Sequence, residues 1–75
     1  MALPPDPDNM NDDRADWAEA ALQAFIRACR TDREDALPDL LCDLIHLCDR
    51  QPDLGGFDAM VERARRNYDA ETQAV

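Results

Sequence analysis

Apolar residues recur at three- and four-residue intervals along three separate stretches, the spacing of one face of a helix. The most regular lies in residues 35–50, where Leu37, Leu40, Leu41, Leu44, Ile45 and Cys48 share one side. At about 100° per residue, Asp39, Asp43, His46 and Arg50 fall on the opposite side. Upstream, Ala15, Ala18, Leu22, Phe25, Ile26 and Cys29 form a second stripe, widened by Ala21, with Asp16, Glu19, Gln23 and Arg27 across from it. Trp17 sits at that stripe's margin, placed either to cap the core from its edge or to anchor a partner. Downstream, Phe57, Met60, Val61, Ala64 and Tyr68 make a third stripe, and Glu62 and Arg66 are spaced for an i,i+4 ion pair. Strand-like alternation and repeats are absent from the sequence.

Capping and breaker residues set the boundaries. Residues 1–11, with three prolines and two acids, are expected to form a disordered acidic tail, and residues 12–75 a single helical domain. Asn11 or Asp12 suits the N-cap of a helix over residues 13–30, with Asp13 and Asp16 at its positive pole and Arg27 and Arg30 near its negative one. Thr31 and Glu34 match a capping box. Pro38 conflicts with a helix starting there, since an interior proline costs about 3 kcal/mol. A first turn at 32–35, then a main helix from Ala36, accommodates both signals and predicts a kink or break near Pro38 in a helix over 32–50. Pro52 and the Gly55–Gly56 pair stop that helix, and a third spans 57–72. The expected fold is an all-α, three- to four-helix antiparallel bundle in which Leu22, Phe25, Leu41, Leu44, Val61 and Tyr68 meet centrally.

Charge narrows the function classes. Seventeen acids against eight arginines, with no lysine, give a formal charge of −9 over 75 residues. Such a surface opposes direct contact with nucleic acid or with an anionic membrane, and suits a basic protein partner. Three cysteines without a CxxC, and an amino terminus unlike a secretory signal, predict reduced thiols and a cytoplasmic protein. No apolar run approaches the roughly 20 residues of a membrane span. A core this small leaves a monomer or a weak dimer open, an uncovered apolar strip favouring the dimer.

Catalytic chemistry finds little support. Cys42 and His46, four residues apart, share a face with nearby aspartates, but a structural zinc site usually takes four strong ligands, so no metal or cofactor is expected. Glu34, Asp35, Asp39 and Asp43 faintly resemble the magnesium-binding acids of all-helical nucleoside triphosphate pyrophosphatases, yet at a different spacing and without a second buried acidic pair. The chain has no serine, and Cys42 has no orienting partner beyond His46, so no catalytic residue is assigned. Cys29 and Cys48 fit as small core residues. Arg63, Arg65 and Arg66 are diluted by Asp58, Glu62 and Asp69, which favours intramolecular pairing.

The charge pattern itself remains. Residues 31–54 hold seven acids and two arginines, a local net of −5. Asp32, Glu34, Asp35, Asp39, Asp43 and Asp49 are therefore the candidate partner-binding surface, carboxylates at helical intervals that imitate a nucleic-acid backbone.

Trp17-Ala18, Ala21-Leu22, Phe25, Thr31-Asp32, Glu34 to Leu37, Asp39 to Leu41, Asp43-Leu44, His46, Asp49-Arg50, Phe57 and Tyr68 with Glu71 resemble small acidic helical proteins of bacterial mobile elements and prophages. The overall character is similar to the acidic anti-CRISPR proteins, some of which mimic DNA. That resemblance implies a non-enzymatic inhibitor acting in a host bacterial cell. It would bind a DNA-recognition subunit of a type I CRISPR surveillance complex and block its target DNA. A small regulatory or antitoxin-like adaptor docking through an apolar patch around Trp17 or Tyr68 is the alternative.

Overall fold

A computed structural model describes residues 2–73. Helix α1 spans Asn11–Cys29, α2 spans Arg33–Arg50 and α3 spans Phe57–Glu71, with a short 3-10 turn at Pro52–Leu54 and no strand among the described residues. The all-helical class and three main segments agree with the periodicity of the sequence.

The helix ends depart from the expected caps. α1 starts after Met10, whose side chain supplies no cap. Carboxylates of the tail take that role, Asp6 Oδ1 accepting from the Asn11 amide and Asp8 Oδ1 from the Met10 amide, each at 3.2 Å. Arg30 closes the helix in the left-handed region at φ 60°, its amide donating to the Ile26 carbonyl at 2.7 Å. The Thr31–Glu34 capping box does not form. Asp32 is the N-cap without a side-chain bond, and the Thr31 hydroxyl donates instead to Asp39 Oδ2 at 2.6 Å.

α2 runs unbroken through Pro38, so of the kink or break expected there the break is absent. Proline at the sixth helical position removes the amide that would have bonded the Glu34 carbonyl. Glu34 is exposed and lies in the first turn of the helix, so water can satisfy that oxygen. The extra short element lies at Pro52–Leu54, and the chain bends immediately after it. Gly55, at φ 92° and ψ −131°, adopts a conformation that side chains rarely tolerate.

α2 is the central element, with α1 packed on it and α3 against it. On one side of the first contact Ala15, Ala18, Glu19 and Leu22 face Arg33, Leu37 and Leu40; on the other, Phe25 and Cys29 face Asp39, Cys42 and Asp43. A strictly antiparallel pair would set Arg33 beside Cys29 and Asp43 nearer the start of α1, so the helices cross at a wide angle. The end of α3 returns to the start of α1. Asn11 Nδ2 donates to the Glu71 carbonyl at 3.0 Å, and Arg14 Nε lies 3.4 Å from the Glu71 carboxylate. In an up-down-up bundle those ends would lie about 27 Å apart, at 1.5 Å per residue.

The resulting molecule is flat and open, 39 × 28 × 18 Å. Its radius of gyration is 14.4 Å, against about 11 Å for a compact chain of this length. Among the described residues only Ala36 is fully buried. Leu22, Phe25, Ile26, Leu40, Leu44, Cys48 and Phe57 are half-buried. The expected central meeting of six residues is therefore corrected, because Leu41, Val61 and Tyr68 remain 45%, 47% and 47% exposed. The apolar arc of α2 is wider than α1 can cover. Ala36 and Leu40 lie toward the covered edge and Leu41 and Ile45 toward the open one, with Leu37 between them, lining the groove against α1 yet still largely exposed. Trp17 is 61% exposed, so it does not cap a core, and Cys29 is exposed as well.

Candidate acidic interaction surface

The first turn of α2 gathers three of the six candidate acids. Ligand oxygens of Asp32, Glu34 and Asp35 all lie within 4.8 Å of one another, and all three side chains are exposed. Three carboxylates so close repel each other, and the positive pole of α2 partly offsets that repulsion. Their neighbouring base does not. Arg33 turns away to Glu19 on α1, its Nη2 lying 2.5 Å from Glu19 Oε1. This hydrogen bond raises the guanidinium's affinity for its proton and holds the Glu19 carboxyl below its ordinary pKa. The Arg33 charge is thus committed, and among the described residues no ion pair joins a cation to the three acids.

Asp39 and Asp43 continue from Asp35 at i+4 and i+8, three carboxylates along about 12 Å of helix axis. One DNA strand carries a charge every 3.4 Å or so, making this row sparser but of the same order. Asp39 is oriented by the Thr31 hydroxyl, and both residues line a groove with Phe25, Cys29 and Cys42. Asp49 lies 14 residues beyond Asp35, about 21 Å along the axis, and does not join this cluster.

Other candidates are dispersed. Cys42 and His46 are exposed and do not belong to a three-ligand group; among the described residues the one such group is Asp32, Glu34 and Asp35. Those oxygens are hard donors suited to calcium or magnesium rather than zinc. The Glu62–Arg66 pair does not form within 4 Å among the described residues, whose ion pairs join Arg14 to Asp8 and Glu71 and Arg33 to Glu19. Intramolecular pairing of Arg63, Arg65 and Arg66 is corrected with it. Exposed ion pairs gain little against the entropy of two long side chains. Arg65 instead lies over the Tyr68 ring, 5.2 Å from its centroid.

Sequence reasoning missed the acid–base ties of the tail. Arg14 Nη2 lies 2.6 Å from Asp8 Oδ2, and its Nη1 donates to Asn11 Oδ1 at 2.7 Å. The hydrogen bond from Arg14 holds the Asp8 carboxyl below the usual range. An arginine three residues into a helix that follows an acidic segment was the available signal. No helix among the described residues is long and apolar enough to cross a membrane. Comparison with protein-family models, curated proteins and solved structures gives no match, so the reading of this surface rests on its own geometry.

Proposed function

We propose that this chain is a non-enzymatic acidic interaction protein that occupies a basic, nucleic-acid-binding surface of another protein. The observation that carries it is the exposed row from Asp32 to Asp43 along α2, uncompensated because Arg33 is held by Glu19. Carboxylates fixed on a helix pay less entropy on meeting a basic groove than carboxylates on a mobile chain. Long-range attraction would speed their encounter. The resemblance to acidic anti-CRISPR proteins names the partner to try first, a DNA-recognition subunit of a type I CRISPR surveillance complex.

The test is displacement of target DNA from such a complex by the wild-type chain and by the triple variant Asp32→Arg, Asp39→Arg, Asp43→Arg. The wild type should displace DNA, and the variant, shown to be helical by circular dichroism, should not. Inhibition retained by that folded variant would rule out charge mimicry. A second reading is supported by the exposed apolar residues, Trp17 and Tyr68 among them: an adaptor gripping a protein partner by apolar contact.

A further inference from the structure

We propose that the open edge of α2, the stripe of Leu37, Leu41 and Ile45, packs against the same stripe of a second copy of this chain, making the folded unit a two-fold dimer. The first ground is surface. The chain exposes 6233 Å², whereas a globular monomer of 8.5 kDa exposes about 4,700 Å². The surplus is about 1,500 Å². The extended tail accounts for part of it, but half the surplus, about 750 Å², approaches the roughly 800 Å² per partner of a standard stable interface. The exposed apolar side chains supply a suitable surface: Leu37 is 57% exposed, Leu41 45%, Ile45 43%, Val61 47% and Tyr68 47%.

The second ground is that the cover must be constitutive. With Ala36 alone fully buried among the described residues, a single chain has too little core to hold three helices in place. A foreign partner would have to be present whenever the chain is made; a second copy always is. The spacing is also self-complementary. Residues at i, i+4 and i+8 form the ridge that interlocks with an identical ridge at about −50°. A two-fold axis through Leu41 sets that residue against its own counterpart and Leu37 against Ile45. Asp35, Asp39 and Asp43 lie on the opposite side of α2, so both acidic rows face outward in the dimer.

Because each chain carries −9, added salt should tighten the dimer by screening repulsion. Binding of a basic partner would respond in the opposite sense, so this inference stands or falls independently of the proposed function.

The experiment measures molar mass by light scattering, and helicity and melting by circular dichroism, from about 1 µM to about 300 µM chain. Wild-type protein should have twice the 8.5 kDa chain mass and a midpoint that rises with concentration. Leu41→Arg should lose the dimer mass, as a monomer or an unfolded chain, while Asp43→Asn keeps it. In a free-standing monomer Leu41 is a half-exposed site where substitution is mild. A fully helical wild-type monomer at the highest concentration would overturn the proposal, and so would a Leu41→Arg variant that stays dimeric.

Discussion

Asn11 and Glu71 stand sixty positions apart in the chain, yet the Asn11 side-chain amide donates to the Glu71 carbonyl at 3.0 Å. This contact joins the first residue of α1 to the last of α3, and the same carboxamide oxygen accepts from Arg14. With the Arg14–Glu71 ion pair it ties the end of α3 to the start of α1. Asn11→Ala should cost about 1 kcal/mol, as for one lost internal hydrogen bond. Hydrogen exchange should show the last turn of α3 losing protection before α2 does; equal protection of α3 in the variant would remove this contact from the account.

Two backbone positions with positive φ predict opposite responses. Arg30 ends α1 at φ 60°, where a Cβ costs about 1 kcal/mol that glycine avoids. Arg30→Gly should therefore raise the melting midpoint, with a stabilisation of about 0.5–1 kcal/mol. At Gly55, φ 92°, an alanine is strained even though its Cβ would meet Met60 Sδ at an ordinary 3.8 Å. Gly55→Ala should destabilise by about 1–3 kcal/mol in urea titrations.

Ala36 is fully buried. Ala36→Leu should overpack its site and cost about 1–3 kcal/mol in urea titrations at a fixed protein concentration. A variant as stable as the wild type would contradict the burial of Ala36.

The tail ties predict acid sensitivity. Asp8 and Glu19 are held below their ordinary pKa by hydrogen bonds from Arg14 and Arg33. A carboxylate with a depressed folded pKa stabilises the fold above its unfolded pKa, near 4, and loses that contribution as pH falls through the folded value. The midpoint difference between wild type and Asp8→Asn should thus be present at neutral pH and shrink away as the pH falls through the lowered folded pKa of Asp8. A difference that persists unchanged to acid pH would contradict the Asp8–Arg14 tie.

Three helices and their approximate limits were legible in the sequence because stripe spacing and the Pro52–Gly56 breaker are local signals. The acidic row of Asp35, Asp39 and Asp43 was legible for the same reason. Where α3 packs was not, since it depends on the long-range contacts of Asn11 and Arg14 with Glu71. The equivalence of all six leucine-face positions on α2 failed similarly. Periodicity marks an apolar arc about half a turn wide, but where α1 docks decides which edge is covered. Pro38 misled because its cost depends on whether the freed Glu34 carbonyl meets water. Asp49 lies about 9 Å along the axis beyond Asp43, a wider step than the roughly 6 Å between successive acids of the row.

The central claim is that the carboxylates of α2 recognise a basic surface by charge. Its most direct measurement is the affinity of the wild-type chain for a type I surveillance complex across a salt series. Log affinity should fall linearly with log salt, losing tenfold or more between about 50 and 200 mM as several charge contacts are screened. An affinity that holds constant or strengthens over that range would contradict it.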